Sequence, residues 1–427
     1  MSNLDEYFRI QGGESLSGDV QIGGNKNAVL PMLAATLLTD QPVTLTNVPG
    51  IRDVRAMCDV LEHLGAAVDD RGENVSICAK NLHTHEITPR LCGELRTSFL
   101  VAGPLVARLG RAVLHPPGGD IIGRRRLDSH FYGLQKLGAT VDPDAMRFSA
   151  RGLTGADLFF DEASVTATEH ILMAATLAKG ETVIRNAAAE PHVQNLARML
   201  ESMGAQISGI GTNTLVIEGV DSLHGTTIAV DADHVEAGSF LAAAAATGGS
   251  ITVHGTSKPH FWMTRRVFEK FGVDLDLRHD SIHLPACELR IQKDVGGMVP
   301  RVDDGPWPQF PSDLMSVLLV MATQANGTVL FFEKMFESRM YFVDRLIQMG
   351  GSAIVCDPHR VVISGPTALR AQRMTSPDIR AGLALVIAAL CAQGESEIHN
   401  AWVIDRGYER IEQKLSGLGA RIERVLP

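Results

Sequence analysis

The sequence predicts an α/β protein made of two similar domains, each with buried helices and sheets outside. Three observations carry that expectation. A short signature recurs six times along the 427 residues. Each copy is preceded by an Ala/Leu-rich stretch that is apolar on nearly every face, the pattern of a helix enclosed by protein. The chain is also too long for one typical core, so two domains are the natural division, and six repeats divide as three plus three.

The signature is an apolar residue, a glycine, usually a small residue and then a strand-like run. It reads LGAAVD at Leu64, LGATVD at Leu137, MGAQIS at Met203, FGVDLD at Phe271, MGGSAI at Met349 and LGARIE at Leu418. The spacing is about 70 residues, longer than solenoid periods. Each copy reads as a helix C-terminus with glycine near the left-handed cap position and a strand following. Upstream of the copies, in order, lie LAATLLTDQPVTLTN, VAGPLVARLGRAVLH, MAATLAKGETVIRN, LAAAAATGGSITVH, VMATQANGTVLFF and AALCAQGESEIHN. In each, a buried helix ends in a short turn and a β-branched strand begins. One repeat is therefore a strand, an inner helix, a strand, a second helix, and one or two further strands.

Composition excludes several functions. The net charge is −10 with no basic tail or stripe, which argues against general nucleic-acid binding. The N-terminal MSNLDEYFRI carries acidic residues and no apolar run, unlike a signal peptide. The apolar run AGLALVIAALCA after Arg380 is far too short to span a membrane. The six cysteines (Cys58, Cys78, Cys92, Cys287, Cys356 and Cys391) are scattered without a C-x-x-C pair. That fits reduced, mostly buried thiols in a cytoplasm, with neither disulfides nor a zinc site. His83 and His85 read as solvated linker residues, and Trp307 in DDGPWPQF as loop packing. Oligomeric state leaves no mark on the sequence.

The polar residues that interrupt these apolar helices fall at equivalent places. The inner helices start near Asn25-Lys26-Asn27, Arg96, Ser164-Val165-Thr166, Asp233-His234, Asp313 and Asp378-Ile379-Arg380. Loops before the second helices carry Asp120 and Arg125, Glu190-Pro191, Glu337 and Arg339, and Asp405-Arg406. Buried helices do not tolerate stray charge in their bodies, but their N-termini favour anions. A lysine or arginine at such an end is mismatched with the dipole unless an anion lies nearby. Lys26, Arg96, Arg125, Arg339, Arg380 and Arg406 are therefore expected to line a cleft for a small, multiply charged ligand.

Several longer stretches carry a family resemblance. They are GGNKNAVLP at Gly23, LRTSFLVAGPLVARLG at Leu95, PGGDIIGRR at Pro117, FPSDLM at Phe310, FESRM at Phe336, SPDIR at Ser376 and IDRGYERI at Ile404. Across essentially its whole length the chain resembles the enolpyruvyl transferases, and within them the branch that acts on a nucleotide sugar. The resemblance implies two inside-out α/β domains built from six βαβαββ repeats, three per domain, with the active site in the interdomain cleft. It places residues 25–231 in one domain and residues 1–24 with 232–427 in the other. It also implies the substrates phosphoenolpyruvate and UDP-N-acetylglucosamine, and an early step of peptidoglycan synthesis in the cytoplasm. No metal or organic cofactor is implied, and neither a nucleic acid nor a membrane as partner.

The same resemblance assigns roles. Asp313 is the base for the sugar hydroxyl, and Asp120 is the loop acid. Lys26, Arg125 and Arg406 hold phosphate, while Arg339 and Arg380 face the donor carboxylate. Asn27 and Glu337 orient groups at the reacting centre. The nucleotide sugar is expected at Arg96, Arg125, Arg126, Leu127, Asp128, Ser129, Ser164, Val165, Thr166, Asp313 and Met335. The loop HPPGGDIIGRRRLDSH, residues 115–130, reads as the lid over the ligands.

Four positions depart from the family pattern: Asp120 replaces the usual cysteine, Arg126 a proline, Glu162 a lysine and His234 an arginine. Those near the nucleotide keep two alternatives open. One is an enolpyruvyl transferase with another nucleotide acceptor in specialised metabolism; the other is a non-catalytic ligand-binding homologue.

Overall fold

The computed structural model describes residues 6–119, 122–123 and 126–426. They group into two compact units. The N-terminal unit holds residues 24–119 and 126–231, and the C-terminal unit holds 6–23, 122–123 and 232–426.

Among the described residues each unit has three sheets, one per repeat. The third repeat shows the plan. Asp157–Phe159 runs parallel to Glu181–Arg185, and the inner helix Val165–Ala175 makes the crossover between them. A parallel pair needs such a long connection, whereas the next strands need only turns. Thr214–Glu218 accordingly pairs antiparallel with Glu181–Arg185, and Gln206–Ser208 pairs antiparallel with Thr214–Glu218. Alternation along Glu181–Arg185 turns Thr182 and Ile184 into the core.

Strands distant in sequence complete three of the sheets. Thr227–Ala229 lies parallel to Val43–Thr46 of the first repeat. Ser17–Gln21 lies parallel to Ser250–His254 of the fourth. In the sixth, Tyr7–Gln11 sits between Glu395–His399 and Arg421–Val425. The second repeat has only a three-stranded sheet, and a single bridge from Glu86 to Val113 stands where the parallel strand runs elsewhere.

The inner helices are buried over most of their length, as their apolar faces require, although Ala102–Leu109 ends at an exposed Leu109. Every residue of His234–Ala246 is buried, and so is all of Ile379–Cys391 except the last. In the C-terminal unit Met315–Gln324 packs against both of these helices. In the N-terminal unit Ala102–Leu109 and Lys26–Ala35 both contact Val165–Ala175. Each unit has its own continuous apolar core.

The starts of the inner helices follow one order in both units. The first and third begin at a side-chain cap: Asn25 and Ser164 in one unit, Asp233 and Asp378 in the other. The middle one begins instead as a 3-10 turn, Arg96–Val101 or Ser312–Leu314. Equivalent capping supports three repeats per unit more strongly than spacing alone. All six signature glycines (Gly65, Gly138, Gly204, Gly272, Gly350 and Gly419) have positive φ, the conformation that ends each second helix.

The thiol expectation needs one correction. All six cysteines are free, but only Cys58 and Cys92 are buried; Cys78, Cys287 and Cys391 are half-buried and Cys356 is exposed. It lies on Ser352–Asp357, an edge strand whose outer face is open to solvent.

Candidate active site

In the N-terminal unit the side chain of Asn25 accepts hydrogen bonds from the Asn27 and Ala28 N–H groups and caps the first inner helix. That fixes Lys26 as the first helical residue and Asn27, half-buried, as the second. A cation there opposes the helix dipole. The structure answers the mismatch with a residue the sequence did not single out: Lys26 Nζ lies 2.9 Å from Asp53 Oδ2. Asp53 sits in the first turn of the second helix, Arg52–Leu64, where an acid suits the dipole. Gly24 leaves this turn no slack, because a Cβ there would stand 1.9 Å from the Asn47 carbonyl oxygen. Gly24→Ala is therefore expected to cost about 1–3 kcal/mol of stability and to displace Lys26. Thermal melting with parallel activity assays checks this, and an unchanged melting curve would contradict it.

Arg96 opens the 3-10 turn of the second repeat, and its Nη2 donates to the Arg126 carbonyl at 3.4 Å. Arg126 Nε and Nη2 each lie 2.7 Å from an oxygen of Asp128, an exposed two-pronged pair. Leu127 precedes the helix Asp128–Lys136, and Ser129 stands in its first turn. In the third repeat Ser164 caps the inner helix, Val165 is its first residue and Thr166 its second.

Beneath Thr166 lies a buried polar line. Thr166 Oγ1 is 3.2 Å from His130 Nε2, and His130 Nδ1 is 3.1 Å from His170 Nδ1. One ring nitrogen of that pair donates and the other accepts, so the two rings are not both charged. Burial pushes both histidines down, His170 to about 3. Glu169 is also buried there, and burial first, then Glu190, raises its carboxyl well above the usual range. Gly103 admits the His170 ring; a Cβ would meet its Cδ2 at 2.8 Å.

In the C-terminal unit three sequence-predicted residues meet. Asp313 Oδ1 accepts from Arg339 Nη2 at 2.9 Å. Asp313 Oδ2 accepts from Arg380 Nε at 3.0 Å, and Arg380 Nη2 lies 2.8 Å away. Both guanidiniums are buried, whereas the Asp313 side chain is 25% exposed and so remains reachable. The two arginines thus orient Asp313, a partner that sequence reasoning had not given them.

Arg380 also lies over the Tyr408 ring, 5.1 Å from its centroid, and the Tyr408 hydroxyl is 3.1 Å from Ser239 Oγ. His234 is buried, and burial lowers it to about 4 against the opposing charge of Asp233. Its ring makes edge contacts with His260 and Trp307, so Trp307 packs within its own unit.

Met335, half-buried, and Glu337, exposed, follow the strand Gly327–Phe332 on the segment that leads to Arg339. Glu333, at the start of that segment, is fully buried, a position sequence reasoning missed. Arg406 ends the 3-10 turn Ala401–Arg406 and is half-buried. The preceding Asp405 receives both prongs of Arg424, at 2.7 and 2.8 Å. Arg424 also binds Glu412 at 2.9 and 3.1 Å, and Glu6. This half-buried hub ties the turn carrying Arg406 to residues near both chain ends. Asp120 and Arg125 lie outside the described residues.

Three repeats per unit, with buried inner helices and charged residues gathered at their starts, define the class of fold. The family profile described as EPSP synthase (3-phosphoshikimate 1-carboxyvinyltransferase) matches residues 10–415. The chain belongs to this enolpyruvyl transferase family. Within the family it is 50% identical over 421 residues to UDP-N-acetylglucosamine 1-carboxyvinyltransferase of Bradyrhizobium diazoefficiens, covering 98% of each chain. It is 50% identical over 418 residues to the enzyme of the same name from Treponema pallidum, covering 97% of this chain and 98% of the relative. Among solved structures it is similar to the enolpyruvyl transferase NikO from Streptomyces tendae, with a TM-score of 0.86, 22% identity and 99% of each chain covered. EPSP synthase from Acinetobacter baumannii gives 0.77 at 18% identity, covering 98% of this chain and 100% of the other. At those identities the likeness is one of fold. No helix among the described residues is long and apolar enough to cross a membrane.

Proposed function

We propose that the chain transfers the enolpyruvyl group of phosphoenolpyruvate to the 3-hydroxyl of UDP-N-acetylglucosamine and releases phosphate, in the cytoplasm, as the committing step of peptidoglycan synthesis. The observation that carries this reading is 50% identity, over nearly the whole length of both chains, to relatives named for that activity.

The proposed chemistry is addition followed by elimination. Asp313 takes the proton of the sugar hydroxyl as its oxygen bonds to C2 of phosphoenolpyruvate. A proton from Asp120 reaches the C3 methylene, giving a tetrahedral ketal. The Asp120 carboxylate left by that step takes back a C3 proton as phosphate departs, which restores the double bond. Lys26, Arg125 and Arg406 hold the phosphate while charge builds on it, and fixed cations of this kind are a large source of rate enhancement. Arg339 and Arg380 serve the donor carboxylate and hold Asp313. Arg96 steadies the segment at Arg126, whose carbonyl it meets. Asn27 and Glu337 orient the reacting groups, and Ser164–Thr166, Arg126–Ser129 and Met335 receive the nucleotide sugar.

Phosphate release with phosphoenolpyruvate and a panel of nucleotide-sugar and shikimate-type acceptors tests the reading. UDP-N-acetylglucosamine should give the highest kcat/KM. Preference for another acceptor would move the chain to a different branch of the family. Lys26→Ala and Arg406→Ala should each impair use of phosphoenolpyruvate more than binding of the nucleotide sugar alone. Equal losses for both ligands would show that these cations serve the wrong ligand in this assignment.

A further inference from the structure

Glu333 follows the strand Gly327–Phe332, where a charged residue would ordinarily meet solvent, yet it is 0% exposed. Its carboxyl group gathers two separate segments. Glu333 Oε1 accepts from the Met335 and Phe336 N–H groups, both at 3.1 Å. The Ser312 hydroxyl donates to the same carboxyl group, 3.0 Å from Oε1 and 2.8 Å from Oε2. Ser312 is the residue before Asp313, and Met335 and Phe336 lead to Glu337 and Arg339. Arg339 Nε stands 3.8 Å from Glu333 Oε2, too far for a hydrogen bond.

A second buried acid lies against this one. Asp304 is 0% exposed, and its Oδ1 accepts the Lys334 N–H at 2.5 Å. Its Oδ2 is buried and has no donor unless a proton sits between the two acids. Two ionised carboxylates side by side in a buried place are strongly disfavoured. One shared proton removes the repulsion and supplies the missing donor. Burial, and then Asp304, raises Glu333 to about 9.

We propose that Glu333 is a positioning residue for the transfer reaction: as a neutral acid hydrogen-bonded to Asp304, it clamps the Ser312–Asp313 turn to the 335–339 segment and so fixes Asp313 against Arg339. It touches no substrate and acts through the two residues it holds. The charged groups around it are Asp304 after the strand Arg301–Asp303, Arg339 on its own segment and Asp313 through Ser312. Lys334 points to Asp303 at 2.9 Å, and His359 contacts the Glu333 carbonyl at 2.7 Å rather than its carboxyl.

The role as positioner rests on the proposed enolpyruvyl transfer; the protonation state does not. Glu333→Gln keeps the acceptor for Ser312, Met335 and Phe336, and its NH2 replaces the proton toward Asp304. Its turnover at pH 7 should stay within about threefold of wild type, less than the tenfold that one lost hydrogen bond can cost. Glu333→Ala removes the clamp and should lower kcat by roughly 10²-fold, the cost of a small misplacement of catalytic groups.

Melting curves against pH provide the readout that does not depend on activity. A carboxyl raised in the fold binds a proton that the unfolded chain has released, so its contribution to stability falls as pH rises between about 4.5 and about 9. Glu333→Gln removes that loss, and its melting temperature should gain on wild type steadily across the window. A Gln variant as inactive as the Ala variant would overturn the clamp. Parallel melting profiles for Gln and wild type would overturn the neutral acid. If the wild type shows no enolpyruvyl transfer at all, the functional reading fails, while the melting profiles still decide the protonation state.

Discussion

Asp313→Asn should lower turnover by about 10²–10⁴-fold, the usual contribution of a positioned general base. Asparagine matches the shape of aspartate and can still accept a hydrogen bond from one arginine, but it cannot take the sugar hydroxyl proton. The structure adds a second consequence. Asp313 balances the buried guanidiniums of Arg339 and Arg380. Losing its charge leaves two buried cations poorly compensated, and breaking a buried pair typically costs about 3–5 kcal/mol. The variant should thus melt earlier and turn over slowly. The two effects separate by assaying well below the melting transition, with binding of UDP-N-acetylglucosamine measured alongside. Near-normal turnover by folded Asp313→Asn would remove Asp313 from the role of base.

The second large effect concerns Asp120. In cysteine-bearing members of the family the antibiotic fosfomycin, an epoxide that resembles the donor, alkylates the loop thiol. A thiolate is a strong, soft nucleophile, and a carboxylate attacks an epoxide far more slowly. None of the six cysteines falls within residues 115–130. The protein should therefore resist covalent inactivation and show only weak, reversible competition with phosphoenolpyruvate. Asp120→Cys should become subject to time-dependent inactivation while still turning over, because the frame PGG-x-IIGRR is otherwise kept. Mass spectrometry after incubation decides the point. A stable adduct at Asp120 of the unaltered protein would contradict the prediction. An active Asp120→Cys variant that is never labelled would show that this position does not meet the donor.

The repeat and the inner helices were legible because burial on all sides forces a nearly continuous apolar composition, which polar caps interrupt at one end. Asn25, Ser164, Asp233 and Asp378 stand out for that reason, and so do Lys26 and Arg380 beside them. The partners of these residues were not legible. Asp53 in GIRDVR looks like any acid in a first helical turn, and only the fold brings it to Lys26. Glu333 and Asp304 end short strands, where charge normally meets solvent, and nothing local marks them as buried. Arg424 lies near the chain end in a charged strand, yet it holds Asp405, the neighbour of Arg406. Sequence reasoning gave Arg339 and Arg380 to the ligand alone; the structure also gives them to Asp313, because three segments apart in sequence converge there.

Product analysis decides whether the chain carries out enolpyruvyl transfer to this sugar. The protein is incubated with phosphoenolpyruvate and UDP-N-acetylglucosamine, and both released phosphate and the nucleotide product are measured, the latter by mass spectrometry and NMR. One phosphate should appear for each nucleotide sugar converted, with a single enolpyruvyl ether on the 3-oxygen. Phosphate release without that ether, or an untouched nucleotide sugar beside rapid conversion of a different acceptor, would contradict it.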